Sequence, residues 1–299
     1  MNKRTKKLLI LGASGMLGHA LFSEFAKHSD LDVYTTARNN GLLKKNLPPH
    51  LLKNIIKNIN AESINSIHEL IKKVKPDIVI NCIGIIKQLL EANNQILSIN
   101  TNSLFPHKLA LFCKDHGARL IHFSTDCVFS GDKGNYSEEN FPDAKDLYGR
   151  TKYLGEINYS HCITLRTSII GHELLRKVGL VEWFLSREGK IDGFTNAIYS
   201  GFPTVEMARI IHDFVIPNPE LNGLYHVSSD PISKYDLLRL ISGIYGKKIE
   251  IEPYDDFVCD RSLDSTRFRN NTGYIPPSWK ELVEKMHQHF VTSGFYKIN

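Results

Sequence analysis

Tyr148 and Lys152 are spaced to act together in proton transfer. On a helix, residues four positions apart share a face, so both side chains can point into one pocket. Free tyrosine has a pKa of about 10 and is a poor acid–base catalyst at neutral pH, whereas a neighbouring ammonium group favours the phenolate and lowers that pKa. The same spacing also fits an exposed helical pair without chemistry. The preceding Ser124-Thr125-Asp126 favours the chemical interpretation.

A glycine-rich segment near the start of the chain predicts a phosphate site. It reads Gly12-Ala-Ser-Gly15-Met-Leu-Gly18, directly after the apolar run Leu8–Leu11 and before helically spaced apolar residues. Glycine permits a sharp strand-to-helix turn and a close approach of the backbone to a pyrophosphate, whose charge the helix start attracts. The alternative is a glycine turn in another kind of α/β protein. Together with the tyrosine–lysine pair, the segment predicts a nicotinamide cofactor.

Strands and helices that alternate along the first half position these motifs. The predicted strands are Lys7–Leu11, Val33–Thr36, Asn54–Ile59, Ile78–Cys82, Leu120–Ser124 and Ile163–Ser168. The predicted helices are Met16–His28, Ile64–Val74, Gln95–Lys114 and Leu147–Tyr159. This alternation predicts an α/β fold, a Rossmann-type doubly wound parallel sheet with helices on both faces and right-handed crossovers.

The alternation of strands and helices ends in the second half of the chain, and this change predicts a smaller substrate-binding lobe there. Its predicted elements are a short helix near Val181–Arg187, further helices at Val205–Phe214, Lys234–Tyr245 and Trp279–Phe290, and a strand at Leu224–Val227. We therefore expect a cofactor-binding Rossmann domain over residues 1–168 and a C-terminal lobe over residues 169–299. The two are partly interleaved, because residues 223–229 are expected to rejoin the sheet.

Composition excludes several classes of function. The chain has 299 residues and a net charge of +5, too mild to predict nucleic-acid binding. Its five cysteines are scattered and never in Cys-x-x-Cys spacing, which favours a reducing compartment without structural zinc. His287 and His289 are expected to decorate a helix, so no metal site is predicted. The apolar run after the basic start is too short for a signal peptide or a membrane span, and we expect a cytoplasmic protein.

With the motifs in this order, the chain resembles extended short-chain dehydrogenase/reductases of the dTDP-4-dehydrorhamnose reductase type. The resemblance covers most of the chain, is specific over residues 8–20, 78–84, 119–130, 146–156 and 163–168, and fades after about residue 170. It implies reduction of the 4-keto group of a 4-keto-6-deoxy sugar carried on a nucleoside diphosphate, as used in deoxysugar and surface polysaccharide synthesis.

The resemblance assigns residues at matching positions. Thr125 would donate a hydrogen bond to the substrate carbonyl, Tyr148 would deliver the proton, and Lys152 would bind the nicotinamide ribose and tune Tyr148. The cofactor-binding residues implied are Gly12, Ser14, Gly15, Met16, Leu17 and Gly18 at the pyrophosphate, Asn60 at the adenine, Cys82, Ile83 and Gly84 beside the ribose, and Asn100. Asn100 could equally be a capping or packing amide.

Charge at the end of the second strand bears on cofactor choice. An acid there binds the ribose hydroxyl of NAD, whereas an arginine suits the 2′-phosphate of NADP. Asp32 precedes the strand and so lies at its wrong end, while Arg38 follows it. NADPH is therefore favoured over NADH, and the alternative for Arg38 is a solvated loop charge.

Two departures from related families bear on the reaction. Related 4,6-dehydratases carry Thr-Asp-Glu, but Cys127 stands where their glutamate would be, which disfavours dehydration. GDP-fucose synthase-like enzymes use a cysteine at the Cys127 position with a distant histidine to epimerise before reducing, and His172 is the candidate here. A cysteine needs a lowered pKa for that chemistry, and the alternative is that Cys127 is a small buried apolar residue.

Further charged residues are candidate substrate contacts. Lys87, Arg261 and Arg267 would bind the nucleoside diphosphate, with Thr125, Asp126, Cys127 and His172 nearer the sugar. Each cation could instead be an exposed surface charge. The alternative functions are a bifunctional epimerase/reductase, a nucleotide-sugar 4-epimerase and a non-catalytic NADP-binding regulatory subunit. A homodimer is left open, and neither nucleic acid nor a membrane is expected as a partner.

Overall fold

The computed structural model describes residues 4–38, 47, 49–57, 59, 63–88, 90–174, 178–294 and 296. In chain order, its strands are β1 (Lys6–Leu11), β2 (Leu31–Ala37), β3 (Ile55–Lys57), β4 (Ile78–Asn81), β5 (Arg119–Thr125), β6 (Cys162–Thr167), β7 (Ile169–Ile170), β8 (Lys190–Phe194), β9 (Ala197–Tyr199), β10 (Phe202–Pro203), β11 (Gly223–His226), β12 (Ile232–Ser233), β13 (Glu250–Tyr254) and β14 (Cys259–Asp260).

Its helices alternate with the strands in the first half of the chain. They are α1 (Met16–Phe25), α2 (Ile64–Val74), α3 (Gln95–Ser98), α4 (Phe105–Asp115), α5 (Leu147–Leu154), α6 (Leu180–Leu185), α7 (Thr204–Ile210), α8 (Lys234–Tyr245), α9 (Thr266–Thr272) and α10 (Trp279–Thr292). Two π-helical segments, Ile99–Leu104 and Ile211–Val215, follow α3 and α7 directly. Short 3-10 turns occupy Pro49–Asn54, Leu90–Asn93 and Asp126–Val128.

Within the described residues, one parallel sheet of seven strands organises the molecule, in the order β11-β6-β5-β4-β1-β2-β3. Its strands are apolar runs such as Leu8–Leu11 because both faces of a parallel sheet are covered. On one face α1 and α7 pack around Phe22 and Ile210, and on the other α2 and α4 pack around Ile67 and Leu109. This confirms the predicted doubly wound Rossmann-type fold.

The second half of the chain adds smaller sheets and a third apolar cluster. Parallel β8 and β13 pair, and β9 lies between β12 and β14. The cluster contains Phe184, Leu237 and Val283 from α6, α8 and α10. Strand β11 pairs in parallel with β6 and so belongs to the main sheet. Among the described residues, no helix is both long and apolar enough to cross a bilayer.

Most elements lie close to their predicted bounds, and the differences have local causes. The predicted strands of the main sheet agree with the structure within two residues. Helix α5 ends at Leu154 rather than Tyr159, with Gly155 as its cap. The helix predicted over 95–114 is not regular, because the π-helical segment interrupts it. Helix α1 ends at Phe25, three residues earlier than predicted.

Candidate active site

The glycine segment forms a tight cradle between β1 and α1. Gly12 has a φ of +98°, which L side chains rarely adopt, and a Cβ there would lie 3.1 Å from Ile83 Cγ1 and 3.3 Å from Cys82 O. A Cβ at Gly18 would overlap the carbonyl oxygen of Gly12. Gly15 caps α1 in an extended conformation and is exposed. These contacts leave no room for side chains at Gly12 and Gly18, and the start of α1 at the exposed Gly15 is where this turn could bind a pyrophosphate.

Strand β2 is hydrogen-bonded to the glycine cradle, and the residues at its ends bear on the choice between NADH and NADPH. The Gly12 N–H donates to Thr36 Oγ1 (3.1 Å), and the Ala13 N–H donates to Thr36 O (2.9 Å). Arg38 follows the carboxyl end of β2 and is exposed, whereas Asp32 lies at the amino end of that strand. Arg38 is therefore on the cradle side of the sheet. Asn60, the predicted adenine contact, lies outside the described residues.

The loop after β4 lies against the cradle and is held by an asparagine that the sequence analysis missed. Asn102 accepts a hydrogen bond from the Ile85 N–H (2.9 Å) and donates to Ile85 O (3.0 Å), and its Oδ1 lies next to Gly84. Asn102 is 2% exposed. Asn100, the residue proposed from the sequence, is exposed. The asparagine of this segment that contacts the loop is therefore Asn102, because the π-helical register turns it inward.

Close backbone packing brings α5 against the end of β5. A Cβ at Gly149 would overlap Cys127 O and lie 2.5 Å from Ala144 Cβ. This close approach brings Tyr148, the preceding residue, to Thr125, with which it is hydrogen-bonded. Asp146 caps α5 by accepting from the Gly149 N–H (2.9 Å).

Lys152 is the second polar group of α5 at this site. It is 7% exposed, and its Nζ donates to Phe123 O of β5 (2.6 Å). The structure therefore brings Thr125, Tyr148 and Lys152 together at the carboxyl edge of the sheet, where ligands of this fold bind.

The titration of the pair differs from the sequence expectation. Burial and the nearby Cys127 raise the pKa of Tyr148 well above its ordinary value, and the hydrogen bond with Thr125 only partly offsets this. Burial lowers the pKa of Lys152 from 10.5 to about 8, although Glu156 acts in the opposite direction. Lys152, whose Nζ donates to Phe123 O, is not among the groups that shift the pKa of Tyr148. Tyr148 is a neutral phenol, which is the form that can donate a proton.

The turn after β5 orders the remaining polar groups. Thr125 Oγ1 accepts from the Cys127 N–H (3.1 Å) and donates to Asp126 Oδ1 (3.1 Å). Burial raises the pKa of Asp126, an effect that the hydrogen bond from Thr125 and the charge of Arg261 oppose. Burial and the neighbouring Asp126 raise the pKa of Cys127 to about 12. The Cys127 thiol is thus protonated at neutral pH, as expected of a small buried apolar residue.

Two of the predicted substrate cations lie near this turn. Arg261 donates through Nε to Phe129 O (2.8 Å) and through its terminal nitrogens to Ser130 O (3.1 Å) and Cys127 Sγ (3.9 Å). Lys87 pairs with Asp146, the cap of α5 (3.1 Å), and is half exposed. Arg261 is therefore built into the turn, and Lys87 lies at the rim beside α5.

His172 and Arg267 are engaged elsewhere. His172 is 2% exposed, with Nδ1 2.6 Å from Glu182 Oε1 and Nε2 2.9 Å from the Tyr245 hydroxyl. Both ring nitrogens are thus occupied by groups of the lobe, so the sequence hypothesis that pairs His172 with Cys127 as acid–base partners is not supported by this geometry. Arg267 pairs with Glu139 and approaches Glu138 at 3.9 Å, which corresponds to the alternative interpretation of a surface charge.

Behind the site lies a buried ion pair that no motif indicated. Arg166 of β6 donates two hydrogen bonds of 2.6 Å to the Glu156 carboxylate and also contacts His226 Nε2 (3.2 Å). Glu156 in turn accepts from Ser124 Oγ (2.6 Å), next to Thr125. Arginine and glutamate are rarely buried unless paired. The network ties β5, β6 and β11 together next to the turn that follows β5.

Comparisons with known proteins agree with this architecture. Residues 6–292 match the RmlD substrate binding domain family. The crystal structure of dTDP-4-dehydrorhamnose reductase from Bacillus anthracis in complex with NADP superposes with a TM-score of 0.77 at 23% identity, covering 95% of this chain and 99% of that one. At this identity the likeness concerns the fold.

Two kinds of curated relatives were found. Methionine adenosyltransferase 2 subunit beta of Danio rerio is 26% identical over 80% of this chain and 74% of its own length, whereas the match to the Bos taurus form spans 43% of that protein. Spore coat polysaccharide biosynthesis protein SpsK of Bacillus subtilis is 26% identical over 94% of this chain and 97% of that protein. Since the family match extends over nearly the whole sheet and the C-terminal lobe, the chain belongs to the RmlD substrate binding domain family.

Proposed function

We propose that this protein is an NADPH-dependent reductase of the 4-keto group of a 4-keto-6-deoxy sugar linked to a nucleoside diphosphate. The observation that carries the proposal is the convergence of Thr125, Tyr148 and Lys152 beside the glycine cradle. The relative from Bacillus subtilis is a spore coat polysaccharide biosynthesis protein, which supports a product destined for a surface polysaccharide.

The cradle and Arg38 support NADPH as the cofactor. Gly12 and Gly18 let the turn pack directly on Cys82 and on its own backbone, and the exposed start of α1 at Gly15 suits a pyrophosphate. The Arg38 guanidinium, at the carboxyl end of β2, suits the 2′-phosphate. When bound there, the cofactor supplies the hydride.

Thr125 and Tyr148 are the residues that act on the ketone oxygen of the substrate. The Thr125 hydroxyl hydrogen-bonds the ketone oxygen and stabilises the negative charge that grows on it. Tyr148 transfers its phenolic proton to the same oxygen, so that the ketone becomes an alcohol. The raised pKa of Tyr148 keeps it protonated before the reaction. Lys152, one helical turn beyond Tyr148 on α5 and with its pKa lowered to about 8, is the residue proposed to bind the nicotinamide ribose.

Reduction without epimerisation is the favoured chemistry. Epimerisation through Cys127 requires a thiolate, and burial raises the pKa of that thiol to about 12. The partner base is missing as well, since Glu182 and Tyr245 occupy both nitrogens of His172. Arg261, beside Cys127, is the cation best situated to contact the diphosphate.

A second candidate is a non-catalytic NADP-binding regulatory subunit. The observation that favours it is the similarity to methionine adenosyltransferase 2 subunit beta. A subunit of that kind would bind the cofactor and would not need the hydroxyl of Tyr148.

A screen of 4-keto-6-deoxy sugars linked to dTDP, UDP and GDP, followed by NADPH absorbance, separates the two candidates. The reductase oxidises NADPH with at least one of these sugars, and NADH supports a slower reaction. Binding of NADPH without turnover on any of them would contradict the reductase and favour the regulatory subunit. Product analysis by NMR then distinguishes simple reduction from reduction with epimerisation.

We further propose that the protein forms a homodimer through α3, α4 and α5. Each of these helices carries an exposed apolar side chain: Ile96 (74% exposed), Leu111 (53%) and Leu154 (61%). A second copy can bury these side chains by two-fold symmetry. Light scattering should give twice the chain mass, and Leu154→Glu should give the mass of one chain, with Val258→Glu as the control at an exposed apolar residue elsewhere. A single-chain mass for the unmodified protein would exclude the dimer.

A further inference from the structure

Two histidines and an aspartate meet at the edge of the sheet opposite the glycine cradle. His28 and Asp30 lie in the turn between α1 and β2, and His212 lies in the π-helical segment after α7. One nitrogen or oxygen atom from each lies within 4.8 Å of the others. His212 Nε2 is 3.6 Å from Asp30 Oδ1, and the two imidazole rings stack with centroids 3.7 Å apart, so that the rings must rotate apart before one ion can bind to both. In the described part of the chain, this is the one such group with the spacing of metal ligands.

The hydrogen bonding of His212 is a second, independent observation. Its Nδ1 is 2.6 Å from Asp213 Oδ1. Its Nε2 is buried and has no hydrogen-bond partner. A histidine that binds a metal almost always donates its other ring N–H to a carboxylate, a backbone carbonyl or water, which fixes the tautomer and leaves a lone pair for the ion. Asp213 therefore prepares His212 Nε2 to be a ligand, and that atom is otherwise unsatisfied.

Backbone hydrogen bonds order the two segments that carry the three side chains. The Lys6 N–H donates to Asp30 O (2.9 Å), and the Leu31 N–H donates to His28 O (3.3 Å). On the other side, the Ile216 N–H donates to Ile211 O (2.8 Å), which closes the π-helical turn that carries His212. π-Helical turns are rare and frequent at functional sites. The ligands thus belong to two ordered segments.

We propose that His28, Asp30 and His212 bind a divalent transition-metal ion of the zinc type. Ligands of a tetrahedral zinc ion lie roughly 3.3 Å apart, since each is about 2.0–2.2 Å from the metal, and the 3.6 Å between His212 and Asp30 is close to this value. Imidazole ligands favour Zn²⁺, Ni²⁺ or Cu²⁺ over Mg²⁺ and Ca²⁺. Three protein ligands leave one position for water.

Such an ion would act as a clip between the two halves of the chain. It would tie the end of α1, in the Rossmann domain, to the π-helical segment after α7. The site lies at the amino end of the strands, because Asp30 bonds the first residue of β1, whereas the glycine cradle lies at the carboxyl end. The ion therefore stabilises the fold without contacting the proposed reaction.

Isothermal titration of EDTA-treated protein with ZnCl₂ tests the proposal. We expect one Zn²⁺ per chain, and a loss of affinity of at least tenfold in each of His212→Ala, His28→Ala and Asp30→Asn. Asp213→Asn, which removes the carboxylate behind His212, should cost roughly ten- to a hundredfold. His50→Ala, at an exposed histidine outside the group, is the matched control and should bind as the unmodified protein does. MgCl₂ should give no binding.

Thermal unfolding provides a readout that does not depend on activity. At a Zn²⁺ concentration about a hundred times Kd, the melting temperature should rise by roughly 4–6 °C, and the rise should disappear in His28→Ala and Asp30→Asn. These two variants alter the turn after α1 and keep the test valid if His212→Ala does not fold. Equal Zn²⁺ affinity in all variants would overturn the proposal, because the ion would then bind elsewhere in the chain. Absence of binding by the unmodified protein would overturn it as well.

Discussion

The two halves of the chain hold their polar residues in different ways. In the first half, backbone packing brings Thr125, Tyr148 and Lys152 to one edge of the sheet, with Gly149 permitting the approach. In the second half, His172 and Arg267 are held by partners of their own. Motifs that combine glycines with candidate reactive residues therefore predicted side chains that the structure brings together, whereas isolated charges did not. The following predictions test this contrast.

The largest effect should follow from Tyr148→Phe. The variant should bind NADPH normally and lose about 10²–10⁴-fold in kcat, because a positioned general acid contributes that much. Steady-state kinetics on a verified 4-keto sugar nucleotide, with cofactor binding measured by fluorescence, gives both quantities. Tyr153→Phe, on the exposed side of the same helix, is the control. An unchanged kcat in Tyr148→Phe would refute the proposed proton donor.

Lys152 should make the stability of the protein depend on pH. Its pKa is lowered in the folded state to about 8 from 10.5, so the unfolded chain binds more protons between these values and the free energy of unfolding rises with pH. Through this shift, the free energy of unfolding below pH 8 is lower than that above pH 10.5 by at most about 3 kcal/mol. Lys152→Met removes this dependence, which denaturant unfolding at pH 7.5 and pH 9.5 measures. Lys87→Met, a half-exposed control, should retain it; equal pH dependence in Lys152→Met would disprove the shift.

Arg38 should set the cofactor preference. Replacement by alanine should raise the KM for NADPH by roughly ten- to a hundredfold, the value of one charge-assisted phosphate contact, and leave the KM for NADH nearly unchanged. Arg4→Ala, at an exposed arginine on the opposite edge of the sheet, is the control. Equal increases for both cofactors would remove Arg38 from the 2′-phosphate site.

The smallest effect should come from Arg267. Its exposed pair with Glu139 contributes at most about 1 kcal/mol, so Arg267→Gln should change neither the unfolding free energy by more than this nor the KM for the sugar nucleotide. Arg261→Gln, beside Cys127, should raise that KM. A large KM increase in Arg267→Gln would show that the second half of the chain contributes more substrate contacts than its ion pairs indicate.

Local sequence patterns predicted the main sheet and the glycine cradle because both depend on neighbouring residues. The run Leu8–Leu11 and the glycines that follow it specify a strand, a turn and a helix without distant contacts. The short strands of the second half, such as β8 and β13, were not predicted, since their pairing depends on segments far apart in the chain. Propensity carries little information about such pairs.

Details of the site that depend on register were also missed. Asn100 and Asn102 are two positions apart in the sequence, and the π-helical turn that contains them determines which one faces the sheet. The sign of the pKa shift of Tyr148 depends on its burial, which spacing does not reveal. Glu156, in the loop after α5, and Arg166, on β6, are ten residues apart in the chain. An arginine within a strand that is buried throughout was the one available signal for this pair.

The π-helical segment between α3 and α4 has a consequence for the history and engineering of this chain. A π turn is an α-helix with one extra residue, so Ile99–Leu104 accommodates an insertion without shifting α4 on the sheet. Deleting one residue there would restore regular hydrogen bonding and rotate the preceding side chains by about 100° relative to α4. Asn102 would then lose its hydrogen bond from the Ile85 N–H. The loop beside the cradle depends on this added residue, and the segment tolerates substitution at its exposed positions far better than a change in length.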